Sequence, residues 1–280
     1  MEDSASPPPI LVAHLFPALE ELLIELLASL APGEWEAQTI VPGWKVKDVA
    51  AHLLDTPLRK LSVVRDGYSR ETPVIASDSD LAALVNRLNA EGVAVYGRLS
   101  PGLLISLMEL ASRESAAYHL SLDPFSPAAF PVSWAGERQS LNWFDTAREF
   151  TERWHHQQQI RLAVNRPGIL TPQLYHPVLD CFMRALPHCY RNLPAPAGTL
   201  LQFDISGNCG GTWWLLAGQD AWTLRTRPIG DRAARTTIPQ EIAWRLFTKG
   251  MNQASAEAQI SIEGNPKLGS QILQLRAIVG

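Results

Sequence analysis

The hydrophobic pattern changes near residue 170, and this change constrains the fold more than any other feature of the 280-residue chain. Before it, apolar residues recur every three or four positions over long stretches, as they do in amphipathic helices. After it, short aromatic and β-branched runs are separated by glycine turns, which is typical of strands. The sequence therefore predicts an α plus α+β protein, with a helical bundle followed by a small α+β domain.

The N-terminal part is predicted to contain five long helices, and proline, glycine and serine mark their ends. The predicted ranges are residues 11–30, a helix that opens after Pro42-Gly43, and residues 79–98, 100–120 and 144–164. The first helix is expected to bury one stripe of leucines. Its members are Leu11, Leu15, Leu19, Leu22, Leu26 and Leu30.

The C-terminal part is predicted to mix helices with short strands. A proline-interrupted helix is followed by a "PAPAG" linker and by two or three strands over residues 199–226. An amphipathic helix, a strand "AQISIEG" and a last helix over residues 266–279 complete the prediction. We therefore expect a bundle over residues 1–170, a connecting helix and linker over 171–196, and an α+β domain over 197–280.

Charge and cysteine content limit the partners. With 24 basic and 28 acidic residues, the net charge of -4 offers no general attraction for nucleic acid. Three cysteines without a paired spacing suit a reducing compartment. The acidic N-terminus lacks the basic region of a signal peptide, and no long uncharged apolar run predicts a membrane span. We expect a cytoplasmic protein without a nucleic-acid or membrane partner.

The segment "FTERWHHQQQIRLAV" carries the chemistry. Glu152 and His156 are four residues apart, so they share one helix face at a separation that suits two ligands of one metal. His155 is expected on another face, although its i,i+3 spacing from Glu152 makes it a second choice. His52, on the second helix, is the candidate third ligand. The alternatives are a solvated Glu–His pair and a core histidine bonded to a backbone carbonyl or to Asp48.

Two motifs resemble those of a known family. "VPGWKVKDVAAHLLD" is similar to the Pro-Gly-Trp-x-x-x-Asp-x-x-x-His-Leu signature of the DinB-like thiol transferases, and "TERWHHQQQIRLAV" is similar to their Glu-x-x-x-His signature. The nearest branch is the mycothiol-dependent maleylpyruvate isomerase family. "GNCGGTWWLL" and the segments after it resemble the sterol-carrier-like domain of that family.

The resemblance implies that His52, Glu152 and His156 bind a divalent metal, usually Zn²⁺, within a four-helix bundle, and Ni²⁺ is the alternative metal. It also implies mycothiol or a similar thiol as cosubstrate and a small electrophilic substrate. Two departures stand out. Lys45 replaces the usual helix-capping Ser or Thr, so the capping box with Asp48 is expected to be lost. Gln159 stands where the family often has Asp.

The resemblance further implies an arginine of the C-terminal domain that binds substrate carboxylates. Arg225 and Arg227 are our candidates, with Arg232 and Arg235 nearby in the sequence. Three functions stay open at this point. The first is a metal-dependent thiol transferase or isomerase, the second a metal-dependent hydrolase, and the third a non-enzymatic protein that binds a small ligand. A homodimer is also considered.

Overall fold

The computed structural model describes residues 6–71 and 73–279, which group into two compact units. The helical unit is built mainly from Leu11–Ala129 and Glu149–Ile169. The sheet unit is built mainly from Phe130–Arg148 and Leu170–Ile278, together with residues 6–10. Both units are discontinuous in sequence, so they do not correspond segment by segment to the three predicted ranges, which stay a prediction. Residues 1–5 of the acidic N-terminus lie outside the described residues.

The helical unit contains the long helices that the apolar periodicity predicts. They are α1 (Phe16–Ala28), α2 (Val46–Lys60), α3 (Asp78–Tyr96), α4 (Pro101–Ser121) and α5 (Asn142–Ala163), whose residues from Glu149 onward belong to this unit. The predicted cap of α4 is present, since Ser100 Oγ accepts a hydrogen bond from the Leu103 N–H. Among the described residues, no helix is long and apolar enough to span a bilayer.

Four helices supply the core of this unit. Leu23, Leu27, Leu54, Met108 and Ile160, from α1, α2, α4 and α5, pack together and are almost fully buried. The third helix, α3, instead lies against α2 through a close approach. A Cβ atom at Gly92 would collide with the Asp55 carboxylate, which would have to move to accept any larger residue there. The unit is therefore a four-helix core with α3 packed on its side.

The sheet unit places five strands in the order β3-β2-β1-β4-β5. The strands are β1 (Leu200–Ser206), β2 (Gly211–Ala217), β3 (Trp222–Arg225), β4 (Arg232–Pro239) and β5 (Ser261–Gly264). Its helices are α6 (Pro172–Met183), α7 (Leu186–Tyr190), α8 (Gln240–Phe247), α9 (Gln253–Glu257) and α10 (Pro266–Ser270). β1 pairs with β2 antiparallel and with β4 parallel. Helices followed by a sheet confirm the predicted fold class.

Several details differ from the prediction. α1 begins only at Phe16, and Leu11 is 53% exposed, because the chain from Ala13 to Leu15 forms a 3₁₀ turn instead of α-helix. The sequence predicts no strand at β4, whose first residues include Arg232 and Arg235. Its pairing between β1 and β5 overrides the low strand propensity of that segment. The last predicted helix ends at Ser270 and continues as a short 3₁₀ turn.

A buried ion pair connects the four core helices. The Arg153 guanidinium of α5 donates hydrogen bonds to both carboxylate oxygens of Glu20 on α1 and to the carbonyl of Leu53 on α2. Ser112 Oγ of α4 donates to the same carboxylate at 2.6 Å. Arg153 and Glu20 are each about 5% exposed. Buried charges are tolerated only when paired and hydrogen-bonded, so this cluster fixes the register of α5 against its neighbours.

We predict that Arg153→Met destabilises the protein by about 3–5 kcal/mol, because it leaves the Glu20 carboxylate buried and uncompensated. The double variant with Glu20→Met is expected to recover most of that loss, since both charges are then gone. The same substitution at Arg87, whose ion pairs with Glu71 and Glu91 are exposed, is expected to cost less than about 1 kcal/mol. Urea unfolding measures all three, and equal losses at Arg153 and Arg87 would refute the assignment.

Candidate metal centre

The loop before α2 determines where His52 lies. Trp44 O accepts hydrogen bonds from Thr39 Oγ1 at 2.8 Å and from Gln38 Nε2 at 2.9 Å. The Asp48 carboxylate accepts the Lys45 backbone N–H at 2.8 Å. Half of the capping box is therefore retained, which corrects the expectation that it is lost. Only the reciprocal bond is missing, because a lysine side chain has no acceptor atom.

His52 lies in α2 with an imidazole that has an unpartnered nitrogen. The residue is 5% exposed, and its Nδ1 is buried without a hydrogen-bond partner in the described part of the chain. Its ring centroid lies 4.5 Å from that of His156 and 5.2 Å from that of Trp44. Burial, and then the positive charge of a protonated His156, hold the pKa of His52 well below its usual range. His52 is thus a neutral imidazole, the form that ligates metals.

Within the described part of the chain, three side chains of α5 form a compact donor group. Each of Glu152, His155 and His156 offers one ligand atom, and these atoms lie within 4.8 Å of one another. Glu152 Oε2 is 3.6 Å from His156 Nε2 and 3.8 Å from His155 Nε2. The prediction that His155 points to another face is wrong. Its i,i+3 spacing brings it to the same carboxylate, with its ring in contact with that of His156.

Both histidines of this group are oriented by a second hydrogen bond. His155 Nδ1 donates to the Thr151 carbonyl at 2.9 Å, and His156 Nδ1 donates to Gln159 Oε1, also at 2.9 Å. Each bond leaves the Nε2 lone pair directed at the group. Metal-ligating histidines characteristically donate their other N–H in this way. Burial lowers the pKa of His155 to about 4, so this imidazole is also neutral near pH 7.

The donors suit a divalent transition metal. Two ligand atoms bound at 2.0–2.1 Å with a tetrahedral angle lie roughly 3.4 Å apart, close to the observed donor separations. Imidazole nitrogens with one carboxylate oxygen are a set that Zn²⁺, Ni²⁺ and similar ions accept. The unpartnered Nδ1 of His52 also needs a partner that the described residues do not provide. The structure places the His52 ring beside His156, while the compact donor group itself consists of Glu152, His155 and His156. Ligation of one metal by His52, Glu152 and His156 stays a prediction.

The arginine candidates all belong to the sheet unit. Arg232 and Arg235 are already engaged, because both pair with Glu263 and Arg235 also pairs with Asp204. Arg225 lies at the end of β3 opposite Trp214, and its Nε is buried without a hydrogen-bond partner among the described residues. Arg227 follows the strand and is exposed. A role in substrate binding stays a prediction for Arg225 and Arg227.

Sequence reasoning missed the residues that position the site. Arg153 and Glu20 fix α5 against α1 and α2, and the sequence motifs do not single out either residue. One feature of the sequence does indicate that Glu20 is paired. Glu20 stands next to Leu19 within the apolar stripe of α1, and a carboxylate on a buried stripe needs a cationic partner. Nothing in the spacing identified which arginine that partner would be.

The bundle and its donor group define a class of helical proteins whose interior suits a divalent metal. Residues 16–161 match the family model described as the mycothiol maleylpyruvate isomerase N-terminal domain. This match covers just over half of the chain. The chain therefore belongs to that family, which confirms the resemblance drawn from its two motifs. No curated protein gives a significant sequence match.

Solved structures show a related fold. A mutant of the mycothiol-dependent maleylpyruvate isomerase has 12% sequence identity and a TM-score of 0.54, with 90% of this chain and 91% of that chain covered. Another structure of the isomerase has 13% identity and a TM-score of 0.48 over 84% and 86% of the two chains. A ubiquinone synthesis protein, UbiJ-SCP2, covers 35% of this chain and 90% of its own at 11% identity and a TM-score of 0.26. At that score the sterol-carrier-like domain stays a prediction.

We predict that Gln159→Leu lowers the metal affinity about 10–100-fold, because His156 loses the acceptor that orients its ring. Gln159→Glu is expected to raise the affinity above that of the wild type, since a charged acceptor strengthens the bond to the Nδ1 proton. Gln158→Leu is the matched control, because it replaces an adjacent buried amide while the Nδ1 bond of His156 goes to Gln159. Competition with a chromophoric chelator measures the affinities. Equal losses at both positions would show that packing, and not the hydrogen bond, is responsible.

Proposed function

We propose that the protein is a metal-dependent enzyme of the mycothiol-dependent maleylpyruvate isomerase type. It would use a low-molecular-weight thiol to isomerise, or transfer the thiol to, a small electrophilic substrate. The observation that carries the proposal is the compact group of two imidazoles and one carboxylate formed by His155, His156 and Glu152, found in the domain by which the chain belongs to its family. The proposed ligands of the metal are His52, Glu152 and His156.

The proposed metal supplies a Lewis acid that lowers the pKa of a thiol or water bound to it. Neighbouring residues fix the orientation of the donor atoms before a metal binds. Gln159 keeps the His156 proton on Nδ1, so Nε2 is free to bind. The Trp154 ring is fully buried on the same helix, and its Nε1 donates to Ile169 O at 3.1 Å. This bond and the Arg153 cluster restrict α5, so the donors need little rearrangement on binding.

The exposure of the donors supports access for a small ligand. The side chain of Glu152 is 28% exposed and that of His156 is 13% exposed, whereas His155 is 2% exposed. The group is therefore buried on one side and open at Glu152 and His156. A small thiol can approach from the open side, while the buried side excludes water from the imidazoles.

We further propose that Arg225 binds a carboxylate of the substrate. The support is its buried Nε, which has no hydrogen-bond partner among the described residues, while Arg232 and Arg235 are held by sheet carboxylates. Arginine matches a carboxylate with two parallel N–H donors. Arg227 remains the second candidate.

A reducing compartment is consistent with the three free cysteines, so we propose that the enzyme acts in the cytoplasm. Zn²⁺ and Ni²⁺ both remain candidate metals, and the homodimer stays a prediction.

We predict that metal-loaded protein binds mycothiol saturably and that binding disappears after metal removal or in His52→Ala. Calorimetric titration with mycothiol, bacillithiol and glutathione measures this, followed by an assay with maleylpyruvate. His14→Asn, which removes an exposed histidine of the helical unit, is the control and should behave as wild type. Metal-dependent cleavage of an ester or amide without thiol binding would favour the hydrolase. A purified protein with neither metal nor thiol binding would favour the non-enzymatic binding protein.

We also predict that Arg225→Met raises KM for a carboxylate substrate about 10–100-fold, the loss expected for one charge-assisted hydrogen bond or pair of bonds. Arg227→Met, at an exposed position, should change KM only a few-fold because water screens its charge. Steady-state kinetics with a substrate and its methyl ester measures both. If Arg225→Met raised KM for the acid and for the methyl ester by the same factor, the proposed role of Arg225 would be rejected.

A further inference from the structure

We propose that His155 is an additional protein ligand of the metal, so that the centre takes three imidazoles and one carboxylate from this chain. This inference rests on the proposed function, since it assumes that the donor group binds a metal. It goes beyond the His52, Glu152 and His156 set by adding the histidine that the helical spacing had assigned to another face. The argument uses the tautomer, the distances and the burial of His155.

The tautomer of His155 leaves the correct nitrogen available. Its Nδ1 is 2.9 Å from the Thr151 carbonyl oxygen, four residues earlier in α5. A carbonyl can only accept, so Nδ1 carries the proton and Nε2 carries the lone pair. This is the arrangement by which metal ligands are usually held, with one ring nitrogen donating to a carbonyl and the other bound to the metal. His156 has the same arrangement with Gln159.

His155 and His156 lie at similar distances from the Glu152 carboxylate. Glu152 Oε2 is 3.8 Å from His155 Nε2 and 3.6 Å from His156 Nε2. The two rings are in contact, with centroids 4.0 Å apart. The two distances from Glu152 Oε2 to the histidine Nε2 atoms are close to the roughly 3.4 Å between two ligands of a tetrahedral metal. The distances to Glu152 therefore do not separate His155 from His156 as a ligand.

Burial adds to this argument. His155 is 2% exposed in the middle of α5, and its Nε2 faces the carboxylate of Glu152 at a distance too long for a hydrogen bond. A lone pair that points at a carboxylate is repelled by it. A cation between the two atoms replaces that repulsion with two favourable bonds.

A fourth protein ligand has a consequence for the choice of metal. A tetrahedral Zn²⁺ site with four protein ligands is closed and leaves no position for a thiol. With His52, Glu152, His155 and His156 all bound, thiol binding requires a metal that accepts five or six ligands. Ni²⁺, Co²⁺ and Fe²⁺ do so more readily than Zn²⁺. The inference therefore favours Ni²⁺ or a similar ion over Zn²⁺ in the working enzyme.

The test separates ligation by His155 from its structural role. The amide nitrogen of asparagine occupies the place of Nδ1, so His155→Asn can keep the bond to Thr151 while it removes Nε2. His156→Asn is the matched ligand variant, and His14→Asn is the control for loss of an exposed histidine. The full-length protein is loaded with Co²⁺. Affinity is measured by chelator competition, and the number of imidazoles by X-ray absorption.

The wild type is expected to show three imidazoles, and each of the two ligand variants two. His155→Asn should weaken Co²⁺ binding by at least about 100-fold, at or beyond the upper limit for a change outside the ligand set. Wild-type affinity and an unchanged cobalt spectrum in His155→Asn, together with loss in His156→Asn, would overturn this inference and leave the proposed function intact. Failure of the wild type to bind any divalent metal would overturn both.

Discussion

The buried contact between Arg153 and Glu20 is the interaction on which the rest of the helical unit depends. It joins α5 to α1 directly, to α2 through the Leu53 carbonyl and to α4 through Ser112. Leu53 follows His52 in sequence, and Arg153 follows Glu152. One guanidinium therefore sets the register of both helices that carry the proposed ligands. A slip of α5 by one residue would break these bonds and would also separate His156 from His52.

The site combines this rigid support with imidazoles whose ring orientation is fixed. His52 and His155 are kept neutral by burial, and the hydrogen bonds of His155 and His156 fix which ring nitrogen faces Glu152. The acceptor for His156 is the neutral amide of Gln159, where the family often has Asp. A carboxylate there would make the imidazole a stronger donor to the metal. A third imidazole from His155, as proposed above, would offset this weaker second bond.

Much of the fold was predictable because long helices leave a strong periodic signal. α2 to α5 were found from apolar spacing, caps and prolines, whereas β4 was missed because its arginines suit a loop and its strand character comes from pairing with β1 and β5. The pair Glu152 and His156 followed from helical spacing, and His52 from the family motifs. His155 could not be assigned to the group from the sequence, because which of two adjacent histidines meets a carboxylate depends on side-chain rotamers. Arg153 needed knowledge of the opposing helix.

The central claim is that α5 and α2 together hold a single divalent metal between Glu152, His156 and His52. Anomalous diffraction from crystals of the metal-loaded protein, recorded at the absorption edge of the metal, tests it most directly. The account predicts one strong peak per chain, with the side chains of Glu152, His156 and His52 at bonding distance of about 2.0–2.2 Å. A peak at other residues, or protein crystals that hold the metal nowhere in the helical unit, would contradict the account.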